Sequence, residues 1–221
     1  MKSTSPICPA FWTFFIYLKF LNRFLEFYNN QKQALKSTAM ETQLLILPGL
    51  GNSGEKHWQT FWHKKFKNSI RLVQDNWDEP IREEWLERLN EEVAKLNSPT
   101  ILVAHSLAVS LVMHWAESNN NKNIVGALLV APADVDSPQH TPECTRNFSP
   151  IPTSKLPFPS IVVASENDPY ASFERKQYLA EKWGSDFVNV GQKGHINSDS
   201  DLKYWEEGQL ILQQLIEIID L

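Results

Sequence analysis

The sequence predicts an α/β protein, a mostly parallel sheet with helices packed on both faces. Three observations predict it. Apolar runs without polar alternation recur at Leu44–Leu47, Ile101–Ala104, Ile124–Val130 and Ile161–Ala164, the pattern of strands covered on both faces. Between them lie stretches of helical spacing, such as Ile81, Trp85, Leu89, Val93 and Leu96, apolar at every third or fourth position. Strands that alternate with helices imply right-handed βαβ crossovers and parallel neighbours. At 221 residues and 42% hydrophobic content the chain can bury one substantial core.

Residues 1–40 stand apart from this alternation. Phe11 to Leu18 is strongly apolar, but Lys19 and Arg23 interrupt it well short of the roughly 20 residues a membrane span needs. No small-x-small cleavage site closely follows the run, as a secretory leader would require. Phe11, Phe14, Phe15, Leu18, Leu21, Leu25 and Tyr28 fit one helical face, so a helix lying on a membrane surface is one reading. A plain appendage is another, and a native start at Met40 a third. The division expected is therefore an appendage over 1–40 and one domain over 41–221.

Within the domain, Leu44–Leu47 reads as a short buried strand ended by Pro48-Gly49-Leu50-Gly51-Asn52-Ser53-Gly54. A helix from about Glu55 to Lys67 and a strand near Ile70–Val73 follow. Pro80 opens a helix through Leu96. Ile101–Ala104 is the central strand, broken at His105-Ser106-Leu107-Ala108, after which Leu107, Leu111, Val112 and Trp115 mark a helix. The strands Ile124–Val130 and Ile161–Ala164, the helix Phe173–Trp183, the strand Phe187–Val190 and the helix Tyr204–Ile219 complete the order. Seven of the thirteen prolines fall between Pro132 and Pro159. That segment is too broken for a long helix or a central strand. It leaves the carboxyl end of a strand, where α/β sheets bind ligands, and is expected to wall or cover a pocket.

The turn at Ser106 carries the chemistry. A buried strand, an abrupt turn with serine at its tip and a helix make the layout of a nucleophile elbow. Ala104 and Ala108 stand where the G-x-S-x-G pattern has glycine, the next smallest residue at a place where strand and helix crowd together. A serine hydroxyl needs a base, and the base an orienting acid. In this layout the order is Ser, then Asp or Glu, then His, each after its own strand. Asp168 follows Ile161–Ala164, with Pro169 restricting its backbone, and His195 lies in a loop just past the last strand. Asp168 can also serve as a turn residue before the next helix, and Glu166 is a rival acid. The other five histidines sit less well for the base: His57 and His63 lie on an early helix, His105 is the elbow's variable position, His114 is in the helix after it and His140 in the proline-rich loop. None has metal-ligand spacing with cysteines or other histidines. Two backbone N–H groups are needed to hold a developing oxyanion. Leu107 supplies one, and Leu50 in the glycine-rich loop is expected to supply the other. That loop lacks the phosphate-binding glycine pattern and the lysine of a nucleotide site.

These residues together resemble the small single-domain α/β-hydrolases related to the retinoblastoma-binding serine hydrolase. The resemblance runs from about Gln43 to the C-terminus. It rests on Leu47-Pro48-Gly49, Ser53-Gly54, His57-Trp58-Gln59, Gln74, Trp77, Pro80, Trp85, His105-Ser106-Leu107, Ala131-Pro132-Ala133-Asp134, Asn167-Asp168-Pro169-Tyr170 and Gly194-His195-Ile196-Asn197. It implies a three-layer α/β-hydrolase fold without a large cap domain, a triad of Ser106, Asp168 and His195, and no metal or other cofactor. Two departures stand out. Ala108 replaces the second elbow glycine, and the glycine-rich stretch after the histidine reads Ser198 to Lys203 here.

The expectation is a serine hydrolase acting on a small ester or related acyl substrate. A non-catalytic binding protein on the same scaffold is the alternative. A net charge of −5 with no basic surplus argues against nucleic acid. Membrane contact is expected only through residues 1–40. Two cysteines, Cys8 and Cys144, make no disulfide framework and suit a reducing cytoplasm. The Leu-x-Cys-x-Glu motif by which the animal namesake engages its partner surrounds neither of them.

Overall fold

Among the described residues, six strands form one parallel sheet in the order β2-β1-β3-β4-β5-β6. In this computed structural model the described residues are 42–220. The appendage over 1–40, its amphipathic helix, Cys8 and the start at Met40 lie outside them. The strands are β1 (Gln43–Leu47), β2 (Ser69–Arg71), β3 (Thr100–His105), β4 (Ile124–Val130), β5 (Ser160–Ala164) and β6 (Asp186–Asn189). The helices are α1 (Trp58–Lys65), α2 (Arg82–Ala94), α3 (Leu107–Ser118), α4 (Phe173–Trp183) and α5 (Glu206–Ile219). No helix among the described residues is long and apolar enough to cross a membrane.

Every residue of β3 is buried, as expected of an unalternating apolar run at the centre of the sheet. It pairs with β1 from Gln43↔Thr100 to Leu47↔Ala104 and with β4 up to His105↔Val130. Leu45, Leu47, Leu102, Ala104, Ala127, Leu129 and Val162 join a core with Trp85, Leu89 and Val93 of α2, most of α3, and Leu179 and Trp183 of α4. The alternate residues Leu44, Ile46, Ile101, Val103, Leu128, Val130, Ile161 and Val163 are also buried and face the opposite layer. There Trp58 and Trp62 of α1 meet Trp205 ahead of α5, with ring centroids 4.9 and 5.9 Å apart. The result is three layers with a sheet in the middle.

Element ends depart from the sequence reading in ways that capping explains. α1 begins at Trp58, because the His57 side chain accepts from Gln59 N and caps the helix. Glu55 and Lys56 form a turn instead. α2 begins at Arg82 and not at Pro80; Arg82 N donates to Asn147 Oδ1 at 2.7 Å, so a distant side chain satisfies that N–H. Ile81 falls outside the helix and is 47% exposed, so the buried stripe starts at Trp85. α5 starts two residues later than expected because Trp205 takes a left-handed conformation, φ 40°. The proline-rich connection from β4 to β5 holds a 3-10 helix, Glu143–Phe148. It is loop with one short turn of helix, and it is no cap domain.

Strand order reverses at β1 and β3, which are neighbours although β2 lies between them in sequence. The loops leaving their carboxyl ends therefore flank the crevice where α/β sheets bind ligands. Gly49 sits in the first of these loops. A Cβ at this position would lie 2.8 Å from His105 O and 3.0 Å from Ser106 Cβ. Only a residue without a side chain permits that approach. Gly49→Ala is expected to lower unfolding free energy by about 1–3 kcal/mol in urea titrations. Gly54→Ala, with nothing within 4 Å of the added methyl, should leave the midpoint close to wild type. Equal midpoints for both would show that the β1 loop can yield.

Candidate active site

Ser106 is the only residue between the end of β3 and the start of α3, and it turns the chain with φ 58° and ψ −122°. This is a backbone conformation that side chains other than glycine rarely adopt. The strain is sustained because strand and helix are both buried on either side of it. Its side chain makes no cap bond to α3. It turns instead to His195, with Ser106 Oγ 2.8 Å from Nε2. His195 Nδ1 lies 2.9 Å from Asp168 Oδ1. A carboxylate can only accept, so Nδ1 carries the proton and Nε2 accepts from the serine hydroxyl. The order of donors runs from serine to imidazole and from imidazole to carboxylate.

Asp168 plays both parts that the sequence left open. Its Oδ1 accepts Tyr170 N at 3.0 Å, a turn bond, as well as His195 Nδ1. The cap of α4 is Ser172, which accepts Arg175 N. Glu166 is exposed and accepts Asn189 Nδ2 at 2.8 Å, so the rival acid is engaged elsewhere. Burial pushes the Asp168 carboxyl up. The hydrogen bond from His195 and the electrostatic attraction of His195 and Lys176 outweigh that, and it titrates below the ordinary carboxylate range.

The histidine loop is anchored at successive residues. Lys193 N donates to Ser165 Oγ at 2.9 Å and Gly194 N to Asn167 Oδ1 at 2.8 Å. His195 O accepts from His105 Nε2 at 2.9 Å, and Ile196 O from Trp58 Nε1 at 2.8 Å. Gly194 takes φ 56° without steric cost, whereas Ile196 holds φ 50°, a strained conformation for a β-branched residue, on the other side of the imidazole. His105, read from sequence only as a variable position, thus ties the nucleophile's strand to the histidine loop. Of the other histidines, His57 lines the same cavity behind His105, while His63 meets Ser69, His114 the Phe148 carbonyl and His140 the Pro169 carbonyl.

Leu107 N is the first N–H of α3 and has no carbonyl one turn back to receive it. Leu50 and Leu107 both line the cavity that holds Ser106 and His195, as the oxyanion expectation requires. The cavity has a volume of about 170 Å³. Ala133, Thr141, Pro142 and Thr145 line its other side, so the proline-rich connection does form a wall. Tyr170 stands beside His195, ring centroids 4.3 Å apart. Tyr170 entered the sequence reading only as the end of the Asn167–Tyr170 motif, and Lys176 did not enter it, since a lysine inside a helix carries no motif signal of its own.

The model of a family described as serine hydrolase matches residues 44–214. The chain belongs to the serine hydrolase family. A solved structure similar to this serine hydrolase is a YdeN-like hydrolase from Pectobacterium atrosepticum, 31% identical, with a TM-score of 0.75 over 85% of this chain and 97% of that one. The ydeN gene product of B. subtilis shares the fold at 21% identity and a TM-score of 0.66, covering 80% and 99%. So does the esterase domain of a Rhodothermus marinus protein, at 13% identity and 0.59, covering 80% and 88%. No curated protein matches by sequence. The fold is the three-layer α/β-hydrolase fold.

Two buried histidines beside the site make its stability sensitive to acid. Burial is the main cause that lowers His57, to about 3, and Arg71 and His195 add to it; burial also lowers His105 well below the ordinary value. The unfolded chain takes up these protons below about 6.5 and the folded one does not. Stability contributed by neutral His57 is therefore full above 6.5 and is lost as pH falls from 6.5 towards 3. The thermal midpoint should drop between about pH 7 and about pH 5, and His57→Gln should flatten part of that slope. A slope unchanged in the variant would mean that His57 is not buried as a neutral ring.

Proposed function

We propose that this serine hydrolase cleaves a small carboxylic ester or related acyl substrate through Ser106, His195 and Asp168. The observation that carries the reading is the unbroken chain from Ser106 Oγ through His195 to Asp168, at 2.8 and 2.9 Å. Ser106 Oγ attacks the acyl carbon as Nε2 of His195 takes its proton. The N–H groups of Leu107 and Leu50 receive the oxyanion. The imidazolium, held by Asp168, gives its proton to the departing alcohol. Water then attacks the acyl-enzyme with His195 as base, and the acid leaves.

Cavity size supports a small acyl group. The hollow around Ser106, about 170 Å³, is below the roughly 300–1,000 Å³ of pockets for drug-sized ligands, which suits a short acyl chain better than a fatty one. The larger hollow on the far side of Tyr170 and His195, about 590 Å³, leaves room for a leaving group. Within the family, the motifs from Leu47-Pro48-Gly49 to Gly194-His195-Ile196-Asn197 place the chain in our reading with the single-domain branch related to the retinoblastoma-binding serine hydrolase. The binding-protein alternative gives no reason for a strained serine to face a histidine held in one tautomer.

Ser106→Ala should reduce turnover of p-nitrophenyl acetate by on the order of 10⁴-fold. A fluorophosphonate probe should mark Ser106 by peptide mapping, and His195→Ala should abolish the adduct. Full turnover in the serine variant, or no adduct on folded wild-type protein, would favour the binding protein.

A further inference from the structure

Behind Asp168, on the side away from His195, lies a lysine with no access to solvent. Lys176 Nζ stands 3.0 Å from Asp168 Oδ2, and both side chains are 0% exposed. Its other contact is the Ser165 carbonyl, at 3.3 Å. Three physical terms disfavour a lysine here. Burying an ammonium is expensive, ordering four side-chain torsions loses entropy, and position 176 is near the amino end of α4, where the helix dipole disfavours positive charge. A methionine would fill the same space without the first and third terms. What the lysine supplies that an apolar residue cannot is a fixed, unscreened positive charge on the one carboxylate that holds the histidine.

We propose that Lys176 is a positioning residue of this hydrolase. It holds the free oxygen of Asp168, fixes the carboxylate plane towards His195, and offsets its negative charge so that the imidazole stays neutral and able to accept a proton. The inference rests on the Ser106–His195–Asp168 reading. Asp168 divides its oxygens cleanly: Oδ1 takes His195 Nδ1 and Tyr170 N, and Oδ2 faces Lys176. Burial lowers Lys176 while the adjacent carboxylate raises it. Around the pair, Tyr170 faces His195 from the Asp168 loop. His105 faces it from the end of β3 at 4.8 Å, and His57 lies edge-on to His105 at 4.7 Å. Arg175, next to Lys176 in sequence, is drawn away to Asp134 and Asp136. Lys176 is thus the positive charge seated on Asp168 opposite the imidazole.

Removing that charge leaves Asp168 free to stabilise a positive imidazole, so a higher pH is needed to empty it of its proton. With fluorophosphonate labelling of Ser106 followed against pH, Lys176→Met and Lys176→Gln should shift the acid limb upward by about half a pH unit or more. Lys176→Arg, which keeps the charge, should return the limb towards wild type. A loss of packing alone would lower the rate equally at every pH. An acid limb that coincides with wild type in either folded neutral variant would overturn the proposal, as would equal displacement in the arginine variant. Wild-type protein with no Ser106 adduct at any pH would instead defeat the hydrolase reading, and this inference with it.

Discussion

The constraint from which the site follows is a change of direction completed in one residue. β3 is buried throughout and α3 is buried over Leu107 to Met113, so the chain must leave one buried element and enter another with no loop between them. Ser106 absorbs the whole reversal at φ 58°. Such a conformation costs on the order of 1–3 kcal/mol. Each fully buried Leu or Val in the two elements contributes about 1.5–3 kcal/mol in return, and Leu102, Val103, Leu111 and Val112 alone are all at 0% exposure. The strain is therefore imposed by packing and easily outweighed. Its consequence is geometric: the hydroxyl meets His195 Nε2, and Leu107, the first residue of α3, lines the same cavity.

Close packing around the turn explains both the alanines and the glycine. Ala104 and Ala108 are at 0% exposure, so their methyl groups fit without opening the elbow, and the departure from glycine costs no geometry at the serine. Gly49 has no such latitude, since its backbone lies directly against His105 and Ser106. Gln59 fastens the two strands from the other side, with Nε2 donating to Leu47 O at 3.1 Å and Val103 O at 3.0 Å. Its Oε1 accepts Ser53 Oγ at 2.6 Å. The loop that carries Leu50 is thus tied to the strand that carries Ser106, and the two N–H groups expected to share an oxyanion are held in one rigid unit.

Much of this was legible in the sequence because it depends on local pattern. Unalternating apolar runs marked β1, β3, β4 and β5, and small residues around Ser106 marked the turn. Serine, acid and histidine, each after its own strand, marked the cavity. What was not legible depends on pairs far apart in the chain. His105 looked like a variable elbow position because its partner, the His195 carbonyl, is ninety residues away. Arg82 N finds Asn147 across sixty-five residues, so helix α2 starts where a distant amide satisfies it. Lys176 looked like an ordinary helix lysine, since nothing in Arg175-Lys176-Gln177 says which face meets β5. The β4–β5 connection read as irregular from its prolines, but its shape comes from one side chain that periodicity cannot reveal.

That side chain is Arg146, and it separates the wall of the pocket from the chemistry. Its guanidinium donates to Val135 O at 2.5 Å, Ser137 O at 3.0 Å and Thr141 Oγ1 at 2.7 Å, and also to Thr141 O. Thr141 Oγ1 donates in turn to Asp134 O at 3.0 Å. Residues 134–146 are therefore folded around an arginine and not around the sheet, and they present Thr141, Pro142 and Thr145 to the cavity. Ser106, Asp168 and His195, by contrast, leave the ends of β3, β5 and β6, which the sheet registers to one another. A change in Thr141 or Thr145 alters what the cavity admits without moving a strand end. A change in the strands alters the reacting geometry without reshaping the wall. Wall and triad are thus shaped by different parts of the chain and meet where Asp134 N donates to Tyr170 O at 2.9 Å and His140 Nδ1 lies 2.9 Å from Pro169 O, so the wall is tied to the loop that carries the acid.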